Sequence, residues 1–106
     1  MKQKQPIILI VDDDPTVLKA VRRDVRNKYK QDSRIMATSS ANEALETIQA
    51  LKKERQVIAL FLSDQRMPEM LGVDLLAKAK IYYPYAKRVL LTAYSDTDAA
   101  KKAIND

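Results

Sequence analysis

The sequence predicts an α/β fold in which helices cover both faces of a parallel sheet. Two apolar runs, Ile7–Val11 and Ile58–Leu62, are continuous rather than alternating, which is typical of parallel strands buried on both faces. Segments with apolar residues at helical spacing separate the runs. Strand and helix alternate four times, which indicates right-handed crossovers within one domain over residues 1–106.

The first predicted strand, Ile7–Val11, leads directly into a helix. Asp14 is a suitable N-cap residue, and Pro15 suits the first helical position because its φ angle is already helical. The helix is expected to pack against the sheet through an apolar stripe of Val17, Leu18, Val21, Val25 and Tyr29.

A weaker second strand at residues 35–38 is expected near a sheet edge. Ser40 and Glu43 have the spacing of a capping box and predict the start of a second helix. Its apolar face consists of Ala44, Leu45, Ile48 and Leu51.

The third strand, residues 58–63, brings Asp64 to its carboxyl end. Pro68 disfavours a helical conformation at Met67, so the segment after Asp64 is predicted to be a loop. Gly72, the one glycine of the sequence, is expected to supply backbone freedom where the loop joins a third helix. This helix carries Leu71, Leu75, Leu76, Ala79 and Tyr83 and ends at Pro84.

A fourth buried strand is predicted at residues 89–91, followed by Thr92. Ser95 and Asp98 then have the spacing that caps a fourth helix.

The composition narrows the chemistry that the chain can perform. Cysteine and histidine are both absent, which excludes disulfides, thiolate metal sites and histidine-based catalysis. The net charge is +5, but the cations are scattered along predicted helix faces, so we expect a solvated surface and no direct binding of nucleic acid. The apolar runs are too short for a signal peptide or a membrane span, and a cytoplasmic location is therefore expected.

Oxygen-bearing side chains follow three of the predicted strands. Asp12 and Asp13 follow the first strand, Asp64 the third and Thr92 the fourth, so they converge at the carboxyl edge of the sheet. Crowded carboxylates repel one another unless a proton or a cation neutralises them, and a small set of oxygen ligands suits Mg²⁺. A carboxylate nucleophile, a divalent ion and a hydroxyl donor together predict a phosphoryl-acceptor site.

Three segments resemble the receiver domain of two-component response regulators, and the resemblance extends along the whole chain. They are VDDDP after the first strand, SDQRMPEMLG around the end of the third and LLTAYSD around the end of the fourth. The resemblance implies a flavodoxin-like, doubly wound sheet in three α/β/α layers. It also implies the strand order 2-1-3-4, with the family's fifth strand missing from this chain.

The resemblance assigns roles to the acidic residues. Asp64 matches the residue that accepts a phosphoryl group from a histidine kinase. Asp12 and Asp13 match the ligands of Mg²⁺, which also binds Asp64 and the backbone carbonyl at Arg66.

The resemblance also implies that residues after the fourth strand contact the phosphoryl group. Thr92 matches the hydroxyl that contacts the group and relays its arrival, with the backbone amide of Ala93 beside it. The side chains of Arg66 and Tyr94 match positions that modulate the rate of dephosphorylation.

The resemblance also implies partners. They are a sensor histidine kinase or a phosphotransfer protein, and a C-terminal output domain or separate effector that reads the change. Such a domain catalyses at most its own phosphorylation and dephosphorylation and is not otherwise an enzyme.

The chain departs from the family by ending at Asp106, before the fifth strand and its lysine. Lys101 and Lys102 fall on the predicted fourth helix and do not replace that lysine. We therefore expect a fragment with slower phosphorylation and an exposed edge on the fourth strand. Such an edge invites homodimerisation or strand exchange.

Two other functions are compatible with parts of the sequence. Asp12 through Leu18 also fit the D-x-D-x-[TV] pattern of haloacid dehalogenase-type phosphatases, with Asp12 as nucleophile, Asp14 as general acid and Thr92 as a second-motif hydroxyl. The other alternative is a receiver fold that takes no phosphate and acts as an interaction module.

Overall fold

The structure, a computed structural model, describes residues 5–29 and 31–91. Within these ranges, strands and helices alternate in the predicted order. Their bounds are β1 Ile7–Val11, α1 Pro15–Tyr29, β2 Arg34–Thr38, α2 Ala41–Lys53, β3 Ile58–Asp64, α3 Gly72–Tyr82 and β4 Lys87–Leu91. Thr92, Ala93, Tyr94 and the predicted fourth helix lie outside the described residues and stay predictions.

The strands form one parallel sheet in the order β2-β1-β3-β4. This is the order that the family resemblance implies, and it confirms β2 as an edge strand of the sheet. All five residues of β1 are buried, as its continuous apolar sequence predicts for a strand covered on both faces.

The helices α2 and α3 cover one face of the sheet. Phe61 from β3 and Ile7 and Leu9 from β1 pack there against Ile48 of α2 and Leu76 of α3. A second cluster continues this core toward the carboxyl edge of the sheet and includes Val11, Ala41, Ala44, Met67 and Leu75. In the described part of the chain, no helix is long and apolar enough to cross a membrane.

The helix α1 lies on the opposite face and is buried less deeply. Its stripe residues Leu18, Val21 and Val25 pack on Ile8 and Ile10 of β1, but no residue of α1 is fully buried. Among the described residues, α1 is the only helix on this face of the sheet.

The prediction of a buried fourth strand is wrong for the described structure. Residues 89–91 are only half-buried. Within residues 5–29 and 31–91, β4 pairs only with β3, so it forms a sheet edge. The helix α1 packs on β1 and β2 and does not reach β4, so this face of β4 is covered incompletely.

The third strand also differs from a strand buried throughout. Ile7 pairs with Ile58, but Ile8 pairs with Leu60, so Ala59 is an extra residue on β3. This bulge leaves Ala59 exposed, and the strand becomes continuously buried only from Phe61 to Ser63.

Both predicted helix caps are present, with one difference. The Oδ1 atom of Asp14 accepts the backbone N–H of Thr16 at 2.9 Å, and Ser40 Oγ accepts that of Glu43 at 3.0 Å. The Glu43 carboxylate, however, accepts from the N–H and hydroxyl of Ser39 rather than from the N–H of Ser40. The reciprocal half of the predicted capping box is therefore shifted by one residue.

Gly72 is required by a close approach and not by backbone freedom. Its φ angle is not in the left-handed region. A Cβ atom built at Gly72 would collide with the carbonyl oxygen of Asp64 and lie 2.9 Å from Leu90 Cδ2. The missing side chain therefore lets the first turn of α3 lie directly against the end of β3.

We predict that Gly72→Ala lowers the free energy of unfolding by about 1–3 kcal/mol, because the added methyl group must displace backbone. Helix propensity alone predicts the opposite sign, since alanine is favoured over glycine by about 1 kcal/mol in a helix. Urea denaturation measures the difference. Ala77→Gly on the exposed face of α3 is the control and should cost about 1 kcal/mol. A more stable Gly72→Ala protein would contradict the close approach.

Candidate functional site

The carboxyl edge of the sheet brings three aspartates together. Val11 at the end of β1 pairs with Ser63 of β3, so the residues that follow, Asp12 and Asp64, are neighbours across the two strands. Asp13 joins them, and carboxylate oxygens of the three residues lie within 4.8 Å of one another. The predicted convergence of these side chains is therefore present in the structure.

The three aspartates after β1 have different local roles. Asp12 is only 3% exposed, and its Oδ1 atom accepts the backbone N–H of Asp14 at 2.9 Å. This bond tightens the turn that leads into α1. Asp14 caps the helix through its Oδ1 atom, whereas Asp13 is exposed and belongs to the cluster. Asp12 and Asp13 are thus the two residues of the run that face Asp64.

Asp64 is held at the tip of β3 by its own backbone surroundings. Its Oδ1 atom accepts the backbone N–H of Gln65 at 2.9 Å. The hydroxyl of Ser63, which is fully buried, donates to the carbonyl oxygen of Asp64 at 2.9 Å. The half-buried carboxylate is therefore fixed in orientation yet remains accessible from the sheet edge.

The loop after Asp64 is anchored by Gln65, a residue that sequence reasoning missed. Its backbone carbonyl accepts the N–H of Gly72, and its side-chain Oε1 accepts the N–H of Val73, both at 2.9 Å. Gln65 thereby caps α3, whose N-cap residue Leu71 provides no side-chain bond. Sequence patterns for helix caps involve residues next to the helix start, and Gln65 lies too far before Gly72 in the sequence to be predicted from them.

Burial and crowding raise the pKa of two of the aspartates. For Asp12, burial is the largest cause, repulsion from Asp64, Asp13 and Asp14 adds to it, and the bond from the Asp14 amide opposes it. For Asp64, burial again raises the pKa most and the charges of Asp13 and Asp14 add to it, while bonds from the backbone amides of Gln65 and Arg66 lower it.

These residues fit a hard divalent cation. The donor atoms are all carboxylate oxygens, and without a cation or protons their charges repel one another at this distance. A cation between them would remove the repulsion that raises the pKa values. Three carboxylates are few for a calcium cage and suit Mg²⁺, which usually retains several waters.

The remaining predicted site residues are less defined. Arg66 is exposed on the loop that follows Asp64. Thr92, Ala93 and Tyr94 lie outside the described residues. Leu91, the last described residue of β4, pairs with Asp64.

Comparison with known proteins places the chain in one family. Residues 8–106 match the family described as the response regulator receiver domain. The chain is 30% identical over 106 residues to the hydrogenase transcriptional regulatory protein HoxA of Cupriavidus necator, covering 100% of this chain and 20% of that protein. It is 36% identical over 108 residues to the transcriptional regulatory protein ZraR of Klebsiella oxytoca, covering 98% and 22%. The chain thus spans about a fifth of the length of these relatives.

Solved structures show the same fold. A signal receiver domain of an HD domain-containing protein from Pseudomonas fluorescens superposes with a TM-score of 0.71 at 27% identity, over 96% of this chain and 75% of that one. A response regulator receiver domain protein from Clostridium thermocellum gives a TM-score of 0.69 at 25% identity, over 94% and 75%. The predicted flavodoxin-like architecture is confirmed.

We predict that Asp12→Asn stabilises the metal-free protein at neutral pH. A carboxyl group whose pKa is raised above its usual 3.8 binds protons more tightly in the folded chain than in the unfolded one. The free energy of unfolding therefore falls as the pH rises from about the usual aspartate pKa through the raised value, and the loss is complete above it. Asparagine avoids this loss and can still accept the Asp14 amide.

Thermal unfolding in a chelator across the acidic to neutral range measures the effect. The stability gain of Asp12→Asn should shrink as the pH falls and vanish below the usual aspartate pKa. Asp32→Asn makes the same change in an exposed turn before β2 and serves as the control. An Asp12→Asn protein no more stable than the unmodified chain at neutral pH would show that the burial and crowding of this carboxylate carry no energetic cost.

Proposed function

The chain belongs to the response regulator receiver domain family, and from this premise we propose that Asp64 is its phosphoryl acceptor. The observation that carries the proposal is the cluster of three carboxylates within 4.8 Å at the tips of β1 and β3. Asp64 stands at the end of a central strand, and backbone amides orient its carboxylate. An oriented carboxylate beside other acids is suited to phosphoryl transfer once their charge is neutralised.

The proposed reaction is a direct displacement. A carboxylate oxygen of Asp64 attacks the phosphorus of a phosphohistidine on a partner protein. A new P–O bond forms an acyl phosphate, the P–N bond breaks, and the imidazole leaves with the electron pair. The chain contains no histidine, so the donor is a separate molecule or domain, a sensor histidine kinase or a phosphotransfer protein.

Asp12, Asp13 and Asp64, with the backbone carbonyl of Arg66, are proposed to hold Mg²⁺. When bound, the ion neutralises the charge of the carboxylates and of the incoming phosphoryl oxygens. Asp12 contributes a second function, because its bond to the Asp14 amide keeps its carboxylate in one orientation.

Residues after β4 complete the proposed site. Thr92 is proposed to contact the phosphoryl group through its hydroxyl and to relay its arrival, with the amide of Ala93 beside it. The side chains of Arg66 and Tyr94 are proposed to modulate dephosphorylation. Support comes from the strand register, since Leu91 pairs with Asp64 and Thr92 is the next residue of the chain.

The phosphorylated state is proposed to act on an output domain or a separate effector. The family's longer relatives are named as transcriptional regulators, and this chain matches about a fifth of their length. We propose that residues 1–106 form the receiver unit, that it does not itself bind nucleic acid, that it works in the cytoplasm, and that it catalyses only its own phosphorylation and dephosphorylation. The outer edge of β4, which is unpaired among the described residues, is proposed as a site of homodimerisation or strand exchange.

The phosphatase alternative is not supported by the local geometry. It requires Asp14 as a general acid near Asp12, but Asp14 Oδ1 accepts the backbone N–H groups of Thr16 and Val17 as a helix cap. The turn between β1 and α1 is also only three residues long and leaves no room for a substrate-covering flap. The phosphatase alternative also gives Asp64 no role. The family match likewise offers nothing for the interaction-module alternative.

We predict that acetyl phosphate adds one phosphoryl group to the protein, and only in the presence of Mg²⁺. Intact-mass spectrometry measures the adduct. Asp64→Asn should abolish it, because the amide is not a nucleophile, whereas Asp74→Asn in the first turn of α3 should retain it. An adduct that survives in Asp64→Asn would contradict the assignment, and catalytic release of phosphate that depends on Asp12 would favour the phosphatase.

We predict that Mg²⁺ stabilises the protein against thermal unfolding. A ligand that binds only the folded state at a hundredfold excess over its Kd adds about 2.7 kcal/mol. Asp13→Asn should weaken the effect strongly, because it removes one of the proposed ligands. Asp13 is exposed, so its replacement should leave the turn intact. Asp32→Asn should retain it. The same stabilisation by NaCl at matched ionic strength would indicate general screening and contradict a metal site.

A further inference from the structure

A wide cleft lies at the amino edge of the sheet, opposite the aspartate cluster. Its volume is about 910 Å³, which is within the range of ligand-binding sites. Its walls include Tyr29 at the end of α1, Val57 before β3 and Tyr85 before β4. We call it the amino-edge cleft.

The apolar wall of the cleft is unusually exposed. Tyr85 is 99% exposed, Val57 59% and Tyr29 36%. Isolated exposed apolar residues are common, but these three line one concave surface. Tyrosine is also among the residues that contribute most to protein–protein binding when an interface buries them.

The floor of the cleft is rigid. Tyr83 is buried, its ring packs at a tilt against Phe61 with centroids 6.1 Å apart, and its hydroxyl donates to the carbonyl oxygen of Gln56 at 2.8 Å. A partner would therefore meet a preformed surface, which lowers the entropy cost of binding.

The charged residues of the cleft lining, within residues 5–29 and 31–91, all have the same sign. They are Lys52, Arg55 and Lys87, and none of these described lining residues is an aspartate or glutamate. The acidic residues closest in sequence, Asp32 and Glu54, are not part of the wall. The Lys52 ammonium lies 5.1 Å from the ring centroid of Tyr83, which fixes one of the cations over the floor. The cleft is therefore complementary to an anionic occupant.

The backbone at Arg55 gives an independent observation. Arg55 has φ 59°, at the position after α2 where glycine is usual. The N–H of Arg55 bonds to the carbonyl of Lys52 and that of Gln56 to the carbonyl of Leu51, which is the hydrogen-bond pattern of this helix end. A guanidinium thus occupies a strained position at the cleft that glycine would occupy without strain.

We propose that the amino-edge cleft docks an acidic segment of a partner protein that carries aromatic or large aliphatic side chains. The apolar side chains would pack on Val57 and Tyr85, and the carboxylates would face Lys52, Arg55 and Lys87. Nucleic acid fits less well, because a phosphate backbone would make no apolar contacts with the wall and the cations do not form a continuous stripe. The proposal does not depend on phosphorylation at Asp64.

The first test uses a fluorescein-labelled peptide of alternating glutamate and phenylalanine with the full chain. Fluorescence anisotropy gives the affinity, and amide NMR spectra of the labelled protein locate the contact. We expect saturable binding with shifts at Gln56, Val57, Tyr85 and Lys87. No binding, or shifts confined to other surfaces, would overturn the proposal.

Control peptides separate the contributions of charge and apolar contact. A peptide of glutamate alone and one of alternating lysine and phenylalanine should each bind at least about tenfold more weakly. Equal binding of the glutamate peptide, or of a short DNA duplex in its place, would indicate general attraction of polyanions and overturn the docking of an apolar anchor.

Variants of exposed residues keep the test independent of folding. Tyr85→Ala and Lys87→Glu should each weaken binding at least about tenfold. Ile81→Ala and Lys80→Glu, exposed on α3 and outside the cleft lining, should leave it unchanged. Equal losses in the α3 variants would place binding elsewhere, and a Tyr85-dependent dimer in sedimentation would show that a second copy occupies the cleft instead.

Arg55→Gly separates binding from stability. We expect this change to raise the Tm, because glycine adopts a positive φ without strain, and to weaken peptide binding at the same time. A merely structural role for Arg55 at the end of α2 predicts no loss of binding. Unchanged affinity in Arg55→Gly would therefore remove Arg55 from the proposed contact and count against the charge complementarity on which the proposal rests.

Discussion

The register between β1 and β3 pairs Val11 with Ser63 and thereby holds two half- to fully buried carboxylates side by side, although their charges repel. Neither strand can relax this contact by shifting. A slip of one residue would exchange the two faces of β1, moving Ile7 and Leu9 away from α2 and α3 and moving Ile8 and Ile10 away from α1. The hydrophobic core therefore fixes the positions of Asp12 and Asp64. Burial, together with repulsion from neighbouring carboxylates, raises the pKa of both residues. Crowded carboxylates favour the binding of protons or a cation, and this links the fold to the proposed Mg²⁺ site.

The structure around Asp64 supports the site from the backbone rather than from other charged side chains. Gln65 bonds to the first turn of α3 through both its carbonyl and its side chain, and Gly72 lets that turn approach the Asp64 carbonyl. The loop between them is thus held at both ends, with Met67 buried beneath it. Rigid support of this kind limits the reorganisation that the carboxylate would need during transfer.

The sequence predicted most of the fold because its signals were local. Continuous apolar runs gave β1 and β3, and Asp14 and Ser40 gave the helix starts. The convergence of Asp12 and Asp64 followed from placing each residue after a parallel strand.

The features that were missed depend on contacts between distant segments. The bulge at Ala59 arises from pairing with β1, the cap by Gln65 spans the whole loop, and the role of Gly72 depends on the position of the Asp64 carbonyl. The half-burial of β4 likewise depends on which elements cover the sheet, not on its own apolar sequence.

The same distinction applies to the two ends of β3. Its carboxyl end carries an acidic cluster that the sequence predicts, whereas its amino end borders a cleft whose cations come from the last turn of α2, the loop after it and the first residue of β4. Since the two proposed sites lie at opposite ends of β3, a cation at one end and an acidic segment at the other would bind without steric conflict.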